Sequence, residues 1–259
     1  MTLSPLLGAV LATLLMFLLT ALGAALVFPL RRVSPSLLDP LMALGAGIML
    51  AASYFSLLAP ALSSAMSLRQ SPLLMCSGGF LLGGVLLLLA DAMLSRRMAK
   101  TPLSDVRRRT LLLIGSITLH NVPEGLAVGC AFGALASCGD AAWRSAWLLA
   151  VGIALQNFPE GAAVSLPLRR DGYSCARAFL FGQLSGAVEP LSGIFGALLA
   201  ISVRSALPFL LSLAGGAMVT VILLELLPEC QKSPRQRQMV FCTLAGFVLM
   251  MALDTMGLG

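Results

Sequence analysis

The sequence predicts an all-α integral membrane protein of eight transmembrane helices with both termini outside. Composition, the lengths of the apolar runs and the placement of basic residues lead there. Of 259 residues, 58% are hydrophobic and only 11% charged, against about 25% charged in an ordinary soluble domain. Too little polar surface remains to keep such a chain in water. That excludes a soluble enzyme, a nucleic-acid binder and a disordered scaffold. The net charge is +6, but the Lys and Arg lie between apolar runs, where they bear on topology rather than on nucleic acid.

A bilayer core requires about 20 apolar residues per helix. Eight stretches qualify, at about 4–29, 37–62, 72–94, 110–134, 145–168, 175–203, 206–228 and 238–257. The first is expected to be a true span rather than a signal peptide, because MTLSP lacks a basic n-region and the run is long. The connections RRVSPS, SRRMAKTPLSDVRRR, SCGD, RRDGYS and QKSPRQRQ hold the turn formers and most of the charge. Fourteen of the 17 Lys and Arg follow spans one, three, five and seven, whereas only Arg69, Arg144 and Arg204 follow the even spans. Basic loops stay in the cytoplasm, so the odd loops are cytoplasmic.

The chain is read as a single transmembrane domain, 1–259. Spans one to three occupy 1–94, a basic cytoplasmic loop 95–109, spans four to six 110–203 and the last two 206–257. Gly45 with Gly47, Gly78 and Gly79 with Gly83 and Gly84, and Gly182 with Gly186 are expected to let helices approach closely. Cys76, Cys130, Cys138, Cys175, Cys230 and Cys242 form no C-x-x-C pair. They are read as small packing residues, with no disulfide framework or zinc finger.

Ionisable groups deep in a membrane are functional candidates by default. Span four contains His120-Asn121-Val122-Pro123-Glu124-Gly125, and span five Gln156-Asn157-Phe158-Pro159-Glu160-Gly161. One hexad, [HQ]-N-x-P-E-G, thus appears twice on neighbouring antiparallel spans, and such repeats with matched helix breakers mark a midplane binding site. At a rise of about 1.5 Å per residue, both hexads fall near the bilayer centre, as does Glu189 in SGAVEPLSG. Positions i and i+4 share a helix face, so His120 with Glu124, and Gln156 with Glu160, each present two donors together. Pro123 and Pro159 remove a backbone N–H and are expected to kink the helices, turning Asn121 and Asn157 toward the same cavity. Imidazole with carboxylates suits Zn²⁺, and also Fe²⁺ or Mn²⁺; the set needs no thiolate, which argues against Cu(I). Three carboxylates so close repel one another, so metal entry is expected to displace protons and to slow at acidic pH.

At these residues the chain resembles the ZIP family of divalent-metal transporters, most closely its GufA-like branch. The resemblance rests on HNVPEGLAVG, ALQNFPEGAAVSLPLR and GQLSGAVEPLSG, with weaker likeness in GAGIMLAAS, LLPE and GFVLMMALDTMGLG. It implies eight helices with both termini outside and Zn²⁺ as transported substrate, with iron, manganese and cadmium as further cargo. Movement would be into the cytoplasm by alternating access, a metal-holding bundle shifting against a scaffold, with no organic cofactor and often in a homodimer. The metal site it implies comprises His120, Asn121 and Glu124, then Gln156, Asn157 and Glu160, and Glu189.

Two departures stand out. Related bacterial members with a two-metal site carry Asp where this chain has Asn157, so one tightly held ion and a weak or absent second are expected. The loop between spans three and four is short and basic rather than His-rich, which suits topology and contact with anionic lipid. Asp91, Glu225 and Glu229 fall at cytoplasmic span ends and are exit candidates, while Asp254 at the outer end of span eight is an entrance candidate; all four could equally be solvated or capping acids. Met49 is either a soft entrance ligand or a packing residue. The alternative function, an intramembrane metal-dependent enzyme, would want a motif such as H-E-x-x-H, and none occurs. The compact loops favour a bacterial plasma membrane.

Overall fold

Serine starts four of the helices. The side chains of Ser4, Ser71, Ser104 and Ser174 accept hydrogen bonds from the backbone N–H of Leu7, Leu74, Arg107 and Arg177 at 3.3–3.4 Å, satisfying donors a helix start leaves open. Pro5 and Pro72 follow directly, where a missing N–H matters least. The computed structural model describes residues 4–30, 35–102, 104–135 and 140–258. Its helices are α1 (Pro5–Ala25), α2 (Pro35–Ala52), α3 (Ala59–Ser67), α4 (Pro72–Lys100), α5 (Asp105–Ala134), α6 (Asp140–Arg170), α7 (Cys175–Gly186), α8 (Val188–Ser202), α9 (Leu207–Val221), α10 (Leu227–Lys232) and α11 (Gln236–Leu258).

Proline divides three of the expected spans. Pro60 offers no N–H to the carbonyl of Ser56, nor Pro228 to that of Leu224. Both carbonyls lie in π-helical segments, Ser53–Leu58 between α2 and α3 and Ile222–Leu226 between α9 and α10. Pro190 likewise offers no N–H to the Gly186 carbonyl, and span six breaks there into α7 and α8. Pro123 and Pro159 stay inside unbroken helices.

Among the described residues seven helical stretches are long and apolar enough to cross a bilayer: Pro5–Ala25, Leu38–Ser67, Pro72–Lys100, Arg107–Ala134, Cys175–Ser202, Arg204–Lys232 and Gln236–Met256. They correspond to every expected span except the fifth. That one lies in α6, which has the length, at 31 residues, but carries Gln156, Asn157 and Glu160 and is correspondingly more polar.

The tightest pairings are α1 with α6, α5 with α8, α2 with α11 and α4 with α9. Glycine makes each possible. A Cβ would fall 1.9 Å from the Thr20 carbonyl oxygen at Gly161, 2.0 Å from that of Gly193 at Gly129, 1.9 Å from that of Thr243 at Gly47 and 2.0 Å from that of Leu213 at Gly83. The backbones touch where side chains are absent, as small residues permit between membrane helices. Leucines on α4 and valine and phenylalanine on α11 face outward, leaving those two helices to meet lipid.

Candidate metal centre

The two hexads face each other from α5 and α6, and α8 brings in Glu189 in its first turn. All seven expected site residues are buried, none more than 4% exposed. His120 Nε2 stands 3.9 Å from Glu124 Oε1 and 3.6 Å from Glu160 Oε1. One ligand atom from each of these three residues lies within 4.8 Å of the others. Glu160 and Glu189 both act electrostatically on Glu124, so three carboxylates share one space. Gln156 Nε2 donates to Glu124 Oε1, and Asn121 Nδ2 donates to the Ser185 carbonyl at 2.9 Å.

The hydrogen bonds that are not made are more informative. One buried oxygen on each of Asn121, Glu124, Gln156, Asn157, Glu160 and Glu189 finds no partner, nor does either nitrogen of His120. Buried polar atoms are nearly always satisfied, and leaving one without a partner costs about 1–3 kcal/mol. All seven expected site residues carry such an atom, and His120, Glu124 and Glu160 each bring a ligand atom within 4.8 Å of the others. Imidazole, carboxylate and amide oxygen form the donor set for Zn²⁺ or a related ion.

A cavity of about 1310 Å³ opens from His120 and Glu160, past Ser116, Asp39 and Glu225, to Arg169, Arg170 and Lys232. These last lie in the closing turns of α6 and α10, next to the strongly basic connections. On the opposite side a separate cavity of about 580 Å³ is lined by Ser56, Arg204 and Asp254, and Ser56 Oγ donates to Asp254 Oδ1 at 2.9 Å. No site residue lines it.

The remaining candidates divide. Glu225 sits deeper than its expected place at a span end: its Oε2 is 3.6 Å from His120 Nδ1, and Ser116 donates to its Oε1. Glu225 lies in the π-helical turn and faces α5, which carries both partners. Asp254 lines the second cavity. Met49 is fully buried in the apolar core. Asp91 lines neither cavity, and the side chain of Glu229 lies outside the described residues. Sequence reasoning misses Asp39, which lines the large cavity and accepts from Ser233 Oγ at 3.2 Å. It also misses Ser116 and Thr20, whose hydroxyls read as ordinary helix residues in an apolar run. Cys76, Cys130, Cys175, Cys230 and Cys242 are free thiols; Cys138 lies outside the described residues.

The chain is similar to known transporters over nearly its whole length. A family model for the ZIP zinc transporter matches residues 97–254. Zinc transporter ZIP11 of Homo sapiens is 36% identical, over 97% of this chain and 97% of its own length. Zinc transporter GufA of Myxococcus xanthus is 36% identical, over 96% and 98%, and zinc transporter ZIPB of Bordetella bronchiseptica 36%, over 92% and 78%. These relatives are transporters, which removes the enzymic alternative. Joined to the buried donor cluster and the long apolar helices, the matches establish that the chain belongs to the ZIP zinc transporter family.

Proposed function

We propose that the protein carries Zn²⁺ into the cytoplasm, with Fe²⁺, Mn²⁺ and Cd²⁺ as further cargo, across a bacterial plasma membrane that it crosses eight times with both termini outside. The ion is held by His120, Asn121, Glu124, Gln156, Asn157, Glu160 and Glu189. Asn157 supplies no charge, so one ion is held tightly and a second weakly. Supporting this are the buried, unpartnered polar atoms carried by all seven residues, with His120 and Glu160 lining a cavity that opens among basic residues. Basic loops mark the cytoplasmic side, so the cavity is the exit and Glu225 lies along it. The second cavity, with Asp254, is the entrance.

Alternating access accounts for the packing. The ligands all stand on α5, α6 and α8, whose tightest pairings are with each other or with α1, whereas α2 pairs most tightly with α11 and α4 with α9. The first group moves as a bundle against the second, and the site changes sides. Purified protein in liposomes loaded with a zinc-sensing dye tests the reading. Wild-type protein should admit zinc, and Glu124→Ala should not, while keeping its helical circular dichroism. Zinc entry through Glu124→Ala at the wild-type rate would refute the site.

A further inference from the structure

We propose that Thr20, on α1, is a positioning residue of the ion site, holding the Glu189 carboxylate in the orientation that presents its second oxygen to the ion. The inference rests on the metal reading of the hexads and extends the site to a helix that carries no ligand.

The glycine that ends each hexad makes room for a neighbour. A Cβ on Gly125 would lie 2.4 Å from the Glu189 carbonyl oxygen, so the first hexad admits the backbone that carries Glu189. A Cβ on Gly161 would lie 1.9 Å from the Thr20 carbonyl oxygen, so the second admits α1. The sequence repeat thus brings one further helix to each ligand helix at the same place, and Thr20 occupies on α1 the position that Glu189 occupies on α8. A Cβ on Gly186 would lie 3.0 Å from the Thr20 side chain, so the threonine sits in a notch between α6 and α7.

Its hydroxyl reaches across. Thr20 Oγ1 lies 3.4 Å from Glu189 Oε1 and 3.3 Å from the Met16 carbonyl. Both Thr20 and Glu189 are fully buried, so no bulk water substitutes for that donor. With Oε1 so held, Oε2 is the oxygen without a partner. Thr13, the other buried threonine of α1, bonds only carbonyls of its own helix. Partners of this kind fix a ligand's orientation, and losing one lowers metal affinity about 10–100-fold.

Thr20→Val keeps the branched shape and removes the hydroxyl; Thr20→Ser keeps the hydroxyl and removes a methyl. Purified protein is assayed for zinc uptake in liposomes and for the rise in Tm that zinc produces. Thr20→Val should raise the KM for zinc about 10–100-fold at unchanged maximal rate and shrink the zinc-induced rise in Tm. Thr20→Ser should behave like wild type, and zinc-free Tm should barely move in Thr20→Val. Wild-type KM in Thr20→Val overturns the proposal, as does equal damage in both variants with a lowered zinc-free Tm, which would make Thr20 a packing residue. If wild-type protein itself neither admits zinc nor is stabilised by it, the metal reading fails and this proposal with it.

Discussion

Gly125→Ala tests whether the glycine contacts set the geometry of the site. An alanine Cβ would lie 2.4 Å from the Glu189 carbonyl oxygen and 2.8 Å from its Cα. Close contacts settle near 3.3 Å for carbon against oxygen and about 3.5–4.0 Å for carbon against carbon. Neither atom is the free end of a side chain, so α8 must retreat by about 1 Å. Metal–ligand distances tolerate only about 0.2 Å, so Glu189 drops out of the ion's reach. Overpacking of this kind costs about 1–3 kcal/mol. The assay is thermal unfolding in detergent with and without zinc, together with uptake in liposomes. Zinc-free Tm should fall, and the zinc-induced rise in Tm should nearly vanish. Gly78→Ala is the control, because its Cβ would meet only Phe209 Cε2 at 3.9 Å; the change should be neutral or stabilising by up to about 1 kcal/mol from helix propensity. Wild-type zinc affinity and Tm in Gly125→Ala would refute the argument.

Two further changes probe ion count and exit. Asn157→Asp adds a fourth carboxylate beside Glu189 and should raise the zinc bound at saturation from about one toward two ions per chain, measured by equilibrium dialysis; unchanged stoichiometry would count against Asn157 as the reason for a weak second site. Pro228→Ala returns an N–H to the Leu224 carbonyl and should convert the Ile222–Leu226 turn to α-helix. Glu225 would then swing away from His120, and uptake should slow severalfold while Tm holds or rises; uptake at the wild-type rate would show that the π-helical turn has no part in ion exit.

The buried polar cluster was more legible in the sequence than the packing around it. The hexads announce themselves because a charged or amide side chain in mid-membrane has no other ready use, and i, i+4 spacing fixes which side chains share a face. Thr20, Ser116 and Asp39 could not be picked out, since a hydroxyl in an apolar run bonds its own helix and an acid near a span end meets solvent. Glycine spacing signalled close approach at Gly47 and Gly83 but not the partner helix, which the distant residues Thr243 and Leu213 supply. Pro60 and Pro228 passed unread inside apolar runs; that a π-helical turn beside Pro228 would place Glu225 against His120 depends on α5 being alongside. Span five was counted among the apolar stretches with its hexad already in view, and Gln156, Asn157 and Glu160 leave α6 outside the helices apolar enough to cross a bilayer.

That polarity bears on how the protein is built. α6 would partition poorly into lipid by itself, and it is sheltered by α1, α2, α5, α7 and α11. Three of those neighbours precede it in the chain, one follows at once, and α11 lies well downstream. The helix that carries the second hexad therefore stays only partly wrapped until α11 has been made and packs against it, so the chain closes late around its own polar centre.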